Sequence, residues 1–138
     1  MANVLAAMGS ALYTKLSTHA GLTTALGGTA IYQAFVPQGT SPPYVVFTLA
    51  GGGDDNTTQR RARSVSYLAQ VVANSLASAT AVDAQIDSAL HGQQLTIAGW
   101  GNHWMARNGD VGPWIQEDGG QLFWRAGGFY DIWIAVTS

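Results

Sequence analysis

Two apolar stripes with the same spacing limit the folds open to this chain. In the first, Leu5, Met8, Leu12 and Leu16 advance by three, four and four residues; in the second, Ala79, Val82, Ile86 and Leu90 repeat that step. An α-helix turns once in 3.6 residues, so each set lines one narrow face of a helix. A helix apolar along one stripe must bury it against another layer, and two matching stripes predict two helices on one face of one sheet. The first helix is expected over residues 3–18, with Asn3 capping its first turn and His19 then Gly21 closing it. The second is expected over residues 76–91, capped by Ser75 and ended by His91 and Gly92.

Between and beyond the stripes the chain reads as strand. A helical turn is expected over residues 22–26, ended by Gly27-Gly28, then a short extended piece at Ile31-Tyr32. Residues 36–43 form a loop whose Pro42-Pro43 delivers extended chain. Tyr44-Val45-Val46-Phe47-Thr48-Leu49 has the β-branched and aromatic content of a strand. Val65, Tyr67, Ala69, Val71 and Ala73 then alternate with Ser64, Ser66, Leu68, Gln70 and Val72, the period of a strand with one buried face. The intervening residues 51–63 read as a hairpin tip, with Gly51-Gly52-Gly53 a flexible hinge. Leu95-Thr96-Ile97 and residues 100–107, 121–124 and 129–136 supply further strands, with Asn108-Gly109-Asp110 a turn and Gly127-Gly128 a bulge. The expected architecture is α+β: one domain over residues 1–138, a mainly antiparallel β-sheet with two α-helices packed on one face and a protruding β-hairpin at about residues 50–65.

Composition bears on partners. Only 10% of the residues are charged, against about 25% in an average soluble domain. Either neutral polar groups solvate a Gly/Ala/Ser/Thr-rich surface, or partners cover part of it in a ring or filament. The net charge of −2 gives no basic footprint for nucleic acid. With no cysteine there is no disulfide, thiolate chemistry or cysteine-bearing metal site. The N-terminus lacks a basic leader, and no apolar run approaches the roughly 20 residues that span a bilayer. A soluble protein made in the cytoplasm, with no membrane partner, is expected.

The few charges are unevenly placed. Arg60, Arg61 and Arg63 are half of the 6 basic residues and share the hairpin with Asp54 and Asp55. With residues 56–59 as the tip, Asp55 faces Arg60 and Asp54 faces Arg61, cross-strand pairs worth roughly 0.2–1 kcal/mol each. The hairpin is then a solvated tip or an arm that docks on a neighbouring subunit or partner. Asp83 and Asp87 lie four apart on the outer face of the second helix, where like charges cost roughly 0.2–0.5 kcal/mol. They form a solvated acidic face or a surface for a basic partner. Asp54, Asp55, Arg60, Arg61, Arg63, Asp83 and Asp87 make up the candidate assembly interface.

Catalysis would need a nucleophile with a base, a carboxylate pair or metal ligands. His19, His91 and His103 are far apart, and the first two sit at expected helix ends, where a structural role suffices. No HExxH, GxSxG, dinucleotide fingerprint or phosphate-binding glycine loop occurs; Gly51-Gly52-Gly53 lacks the lysine and helix such a loop requires. No catalytic residue, cofactor or metal is expected. Trp100, Trp104, Trp114, Trp124 and Trp133 all fall in the last third of the chain. They suit a core or protein interface, or alternatively the sugar platform of a carbohydrate-binding module.

Residues 21–47 carry a further pattern: Gly-Leu-Thr-Thr-Ala-Leu-Gly-Gly-Thr-Ala-Ile31-Tyr32, then Val36-Pro37-Gln38-Gly39, then Pro42-Pro43-Tyr44-Val45-Val46-Phe47. Preceded by an amphipathic helix, this resembles the tail-completion, or tail-terminator, proteins of long-tailed bacteriophages. The alternating strand over residues 65–72 and the Ala-rich helix ending at Leu90-His91-Gly92 fall where that family has them. The resemblance covers roughly residues 3–92; the Trp/Gly-rich stretch 100–128 departs from the simpler pair of strands that usually ends the family. It implies a structural virion protein at the tail and neck, assembled in the host cytoplasm. The expected form is a homo-oligomeric ring, a hexamer, that caps the tail tube, ends its polymerisation and joins it to the head-tail connector. Its partners would be sister subunits, the tail tube protein and the connector or neck protein, with DNA only passing through the lumen. Another neck or head-closure component is the neighbouring alternative.

Overall fold

The first apolar stripe forms the helix it predicts. In the computed structural model, which describes residues 4–37, 39–54, 62–97 and 99–136, α1 spans Val4–Ser17. Its Met8, Leu12 and Leu16 are buried and Leu5 partly so. α1 ends at Ser17, close to the expected residue 18, but Gly21 takes no part in the stop. His19 is extended (φ −80°, ψ 108°) and becomes the N-cap of a short second helix, α2 (Ala20–Leu26), which ends where Gly27 turns left-handed at φ 73°. Leu22 and Leu26, one turn apart, are both buried, so this stretch gains its own apolar stripe. Gly21 lies inside α2, where a Cβ would run into the Gln85 side chain.

α3 (Leu76–Leu90) matches expectation. The Ser78 N–H donates to Ser75 Oγ at 3.1 Å, and Ala79, Val82, Ile86 and Leu90 are buried. Gly92, at φ 72°, lies just past its end.

Among the described residues, five strands form one sheet: β1 (Ile31–Gln33), β2 (Tyr44–Asp54), β3 (Ala62–Ala73), β4 (Trp100–Asp118) and β5 (Gln121–Val136), in the order β1-β2-β3-β5-β4. β1 runs parallel to β2, and every other pair is antiparallel. The alternation in β3 sets the register. Val71 stands opposite Val45, Ala69 opposite Phe47, Tyr67 opposite Tyr130 and Val65 opposite Ile132. Residues directly opposed share a face, so these side chains gather on one side and join the three helical stripes in a single buried cluster. A slip of one residue would turn the whole set outward. The fold is thus α+β, with the helices on one face of a mainly antiparallel sheet.

Three local expectations fail, each for a reason of cross-strand packing. Residues 51–53 are not a hinge: they extend β2, with Gly51, Gly52 and Gly53 opposite Ser66, Val65 and Ser64. Asn108-Gly109-Asp110 is not a turn but lies within β4, where the ladder shifts between Arg107 and Asp110. The irregularity expected at Gly127-Gly128 is therefore on the partner strand. Both glycines stay in the β5 ladder, and Gly127 has no room for a side chain because a Cβ would strike the Ala69 carbonyl.

Candidate assembly surface

The described residues contain no group of three or more His, Asp or Glu able to hold a metal ion. His19 Nε2 lies 3.3 Å from Gln85 Oε1, and His91 Nδ1 accepts from the Arg107 backbone N–H at 3.1 Å, so both rings tie helix ends to neighbouring elements. The His103 side chain lies outside the described residues. A cavity of about 410 Å³ between α1 and residues 94–97 has Lys15 as the one charged residue among its described lining.

Asp83 and Asp87 are not on the outer face of their helix. Both turn toward the sheet and are half-buried. Arg107 on β4 grips Asp83 with two guanidinium nitrogens, Nη1 to Oδ1 at 2.9 Å and Nη2 to Oδ2 at 3.1 Å. Its Nε donates to Asp110 at 2.8 Å and Nη2 also reaches the Gly127 carbonyl at 2.6 Å. The Tyr130 hydroxyl accepts from Arg107 and donates to Asp87 Oδ1, each at 3.2 Å. Burial acts against the Arg107 charge, but hydrogen bonds to Asp83 and Tyr130 outweigh it and raise its pKa. Burial raises the Tyr130 pKa, partly offset by the hydrogen bond from Arg107. The like-charge cost of Asp83 and Asp87 is met by a partner for each, and the cluster rivets α3 to β4 and β5.

The charged hairpin is placed in part. Asp55, Arg60 and Arg61 lie outside the described residues. Asp54 stands opposite Arg63, not Arg61. The inward residues of β2 and β3 fix one register up to Leu49 opposite Tyr67, and an irregularity between Leu49 and Gly51 moves the ladder on by one. β3 is flanked on both sides from its first turn, since Ala62 and Arg63 also pair with Ala135 and Ile134 of β5.

The sheet's other face has no helix over it among the described residues. Tyr44, Val46, Leu68, Val72, Phe129, Trp133, Trp104 and Trp114 alternate outward from the helical side. Val36, Pro37, Gly39, Thr40 and Pro42 border, at one end of this face, a cavity of about 280 Å³ beside Val72, Phe123 and Arg125. Asp131, an acid on this face, accepts from Ser66 Oγ and from Asn108 Nδ2, the latter at 2.7 Å. Trp104 and Trp114 are 45% and 37% exposed. Trp100 is buried and Trp124 packs on the core. The two exposed rings sit ten positions apart on β4, roughly 30 Å, too far to form one sugar platform.

β4 and β5 continue beyond the sheet as a two-stranded tip. β3 ends with Ala73 opposite Trp124, while β4 and β5 remain paired out to Asp118 opposite Gln121. Ile115 and Leu122 on this tip are 48% and 56% exposed. Sequence reasoning expected the strand at residues 121–124 but not the continuation of β4 that pairs with it, and it missed the Arg107 cluster. The tip's signal was the run of strand-forming residues on either side of Gly119-Gly120. Arg107 gave none, because Asp83 and Tyr130 lie 24 and 23 residues away.

This fold has relatives. A chain from the virion of a native gene transfer agent particle superposes at TM-score 0.75 with 19% identity, over 97% of this chain and 99% of that one. A second solved chain, whose description names no function, matches at TM-score 0.59 with 14% identity, over 97% and 96% of the two chains. No curated protein matches. The model of the family described as tail completion protein gp17 matches residues 10–109, from α1 into β4. The chain belongs to the tail completion protein gp17 family.

Proposed function

We propose that this protein assembles as a ring, a hexamer, that caps a phage-type tail tube, ends its polymerisation and offers the joining surface to the head connector. Family membership makes the chain a structural component of a phage-type tail. The observation that carries the finer reading is the helix-free sheet face, where exposed Trp104 stands opposite half-buried Trp133, and exposed Trp114 and half-buried Phe129 lie on the same face. An apolar face of this kind on a chain with 10% charged residues fits burial against other subunits. A tail tube is an open head-to-tail stack, so each added ring exposes again the surface that recruits the next. A terminator binds that surface with one face and presents a different one, which stops growth and allows a connector to dock. DNA crosses the lumen without being held, which suits a net charge of −2. No helix among the described residues is long and apolar enough to cross a membrane. The protein would act in the virion at the tail and neck, after assembly in the host cytoplasm.

The test is polymerisation of the tail tube protein with and without this chain. Tubes should stop at a limited length when it is present. Unrestricted growth in its presence would overturn the terminator reading, and binding to head connectors alone would favour a head-closure role.

A further inference from the structure

Two opposite charges are left without partners at opposite ends of the fold. Arg107, Arg125, Asp83, Asp87, Asp110 and Asp131 each hold a polar side-chain partner. Lys15 and Glu117 have no hydrogen bond or ion pair among the described residues. Lys15, half-buried in the last turn of α1, lines two adjoining cavities of about 410 Å³ and 290 Å³ that share it and Thr18, and no acid is among the described lining of either. The first is a groove between small side chains of α1, Ala7, Ser10 and Ala11, and the extended segment 94–97. That segment lies along the start of β4: the Leu95 N–H donates to Asn102 Oδ1 at 2.7 Å, and Ile97 bridges Trp100.

Glu117 is at the other end of β4, at least a dozen residues further on, roughly 40 Å along the strand. Ile115 stands opposite Trp124 and Glu117 opposite Leu122, so these four side chains share one face of the β4–β5 tip. Trp124 packs on the core, which makes this the face that the helices cover elsewhere. Beyond it Ile115, Glu117 and Leu122 are exposed. The tip thus presents two aliphatic side chains and one carboxylate together, and the groove presents small side chains and one ammonium.

We infer that the tip of one copy of this chain seats in the α1 groove of a second copy, with Glu117 paired to Lys15 and with Ile115 and Leu122 laid against the small side chains of α1. The pair supplies register, and the covered aliphatic surface supplies affinity. Complementary patches at opposite ends of a subunit make a heterologous contact, which repeats head to tail and closes into a ring when the rotation permits. This contact rests on the ring reading above and adds which surfaces form the joint.

The test is a charge swap read by sedimentation and electron microscopy over a range of protein concentrations. K15E and E117K should each raise the concentration for half-assembly by about tenfold, since each sets like charges face to face. K15E/E117K together should restore assembly to within about threefold of the wild type, because the charges are exchanged and not removed. I115S/L122S, which keeps the charges, should weaken assembly by about tenfold or more. Unchanged circular dichroism and unfolding midpoints would show that each variant is folded. If the wild type forms rings and the single variants do so equally well, the seat is wrong and the ring stands. A double swap that stays as impaired as the single variants, with folding intact, would also overturn the contact. A wild type that stays monomeric even with tail tubes would overturn the ring reading and this contact together.

Discussion

β5 is one strand with two characters. From Ala126 to Ala135 it lies between β3 and β4, and Tyr130, Ile132 and Ile134 are fully buried under the helices. From Gln121 to Phe123 it has β4 alone for a neighbour, and Leu122 is more than half exposed. The same residue class therefore serves two ends: the inner half holds the fold together, and the outer half leaves apolar surface exposed. The β4 partner divides in the same way, with Met105 buried and Ile115 exposed.

Substitutions should separate the two halves. Ile132→Ala opens a cavity in the buried core and should cost about 2–5 kcal/mol. Leu122→Ser, on the tip, should change monomer stability by less than about 0.5 kcal/mol. Denaturant unfolding of both variants checks this, and a Leu122→Ser loss as large as that of Ile132→Ala would erase the distinction. Next in size, Arg107→Ala removes the shared partner of Asp83, Asp110 and Tyr130 and should cost about 3 kcal/mol, since it leaves a half-buried carboxylate without its cation. A loss under about 0.5 kcal/mol would mean that the cluster is a surface ion pair of little weight.

The smallest effect is confined to high pH. Burial raises the pKa of Tyr67 and Tyr130 above the ordinary value of 10.0. A folded-state pKa above the unfolded one means that folding favours the neutral phenol. That contribution is complete below about pH 10 and is lost as pH rises through the folded values. The unfolding midpoint should hold steady between about pH 7 and 9 and fall above about pH 10. A midpoint unchanged to about pH 11 would contradict the burial of these two rings.

The inner half was legible in the sequence and the outer half was not, for physical reasons. Leu12 and Leu16, or Ile86 and Leu90, reveal their common face by spacing alone, because helical contacts are local. Val65 to Ala73 reveal theirs by alternation, since one face of β3 is buried and the other is not. Gly51 to Gly53 and Asn108 to Asp110 looked like a hinge and a turn because glycine and asparagine favour such places locally. Partners on distant strands hold both segments extended, and no local pattern announces those partners. Asp83 and Asp87 were expected on the outer face of their helix, as a solvated acidic face or a surface for a basic partner, for the same reason. Their ligands, Arg107 and Tyr130, come from strands that the helix meets only in the folded chain.

The most direct measurement is imaging of tail tube ends after tubes are mixed with the purified protein. A single closed ring of this chain on one end of each tube, with no further tube growth from that end, is the expected result. Tubes with bare ends that keep growing beside monomeric protein would contradict the assignment of its exposed surfaces to assembly and capping.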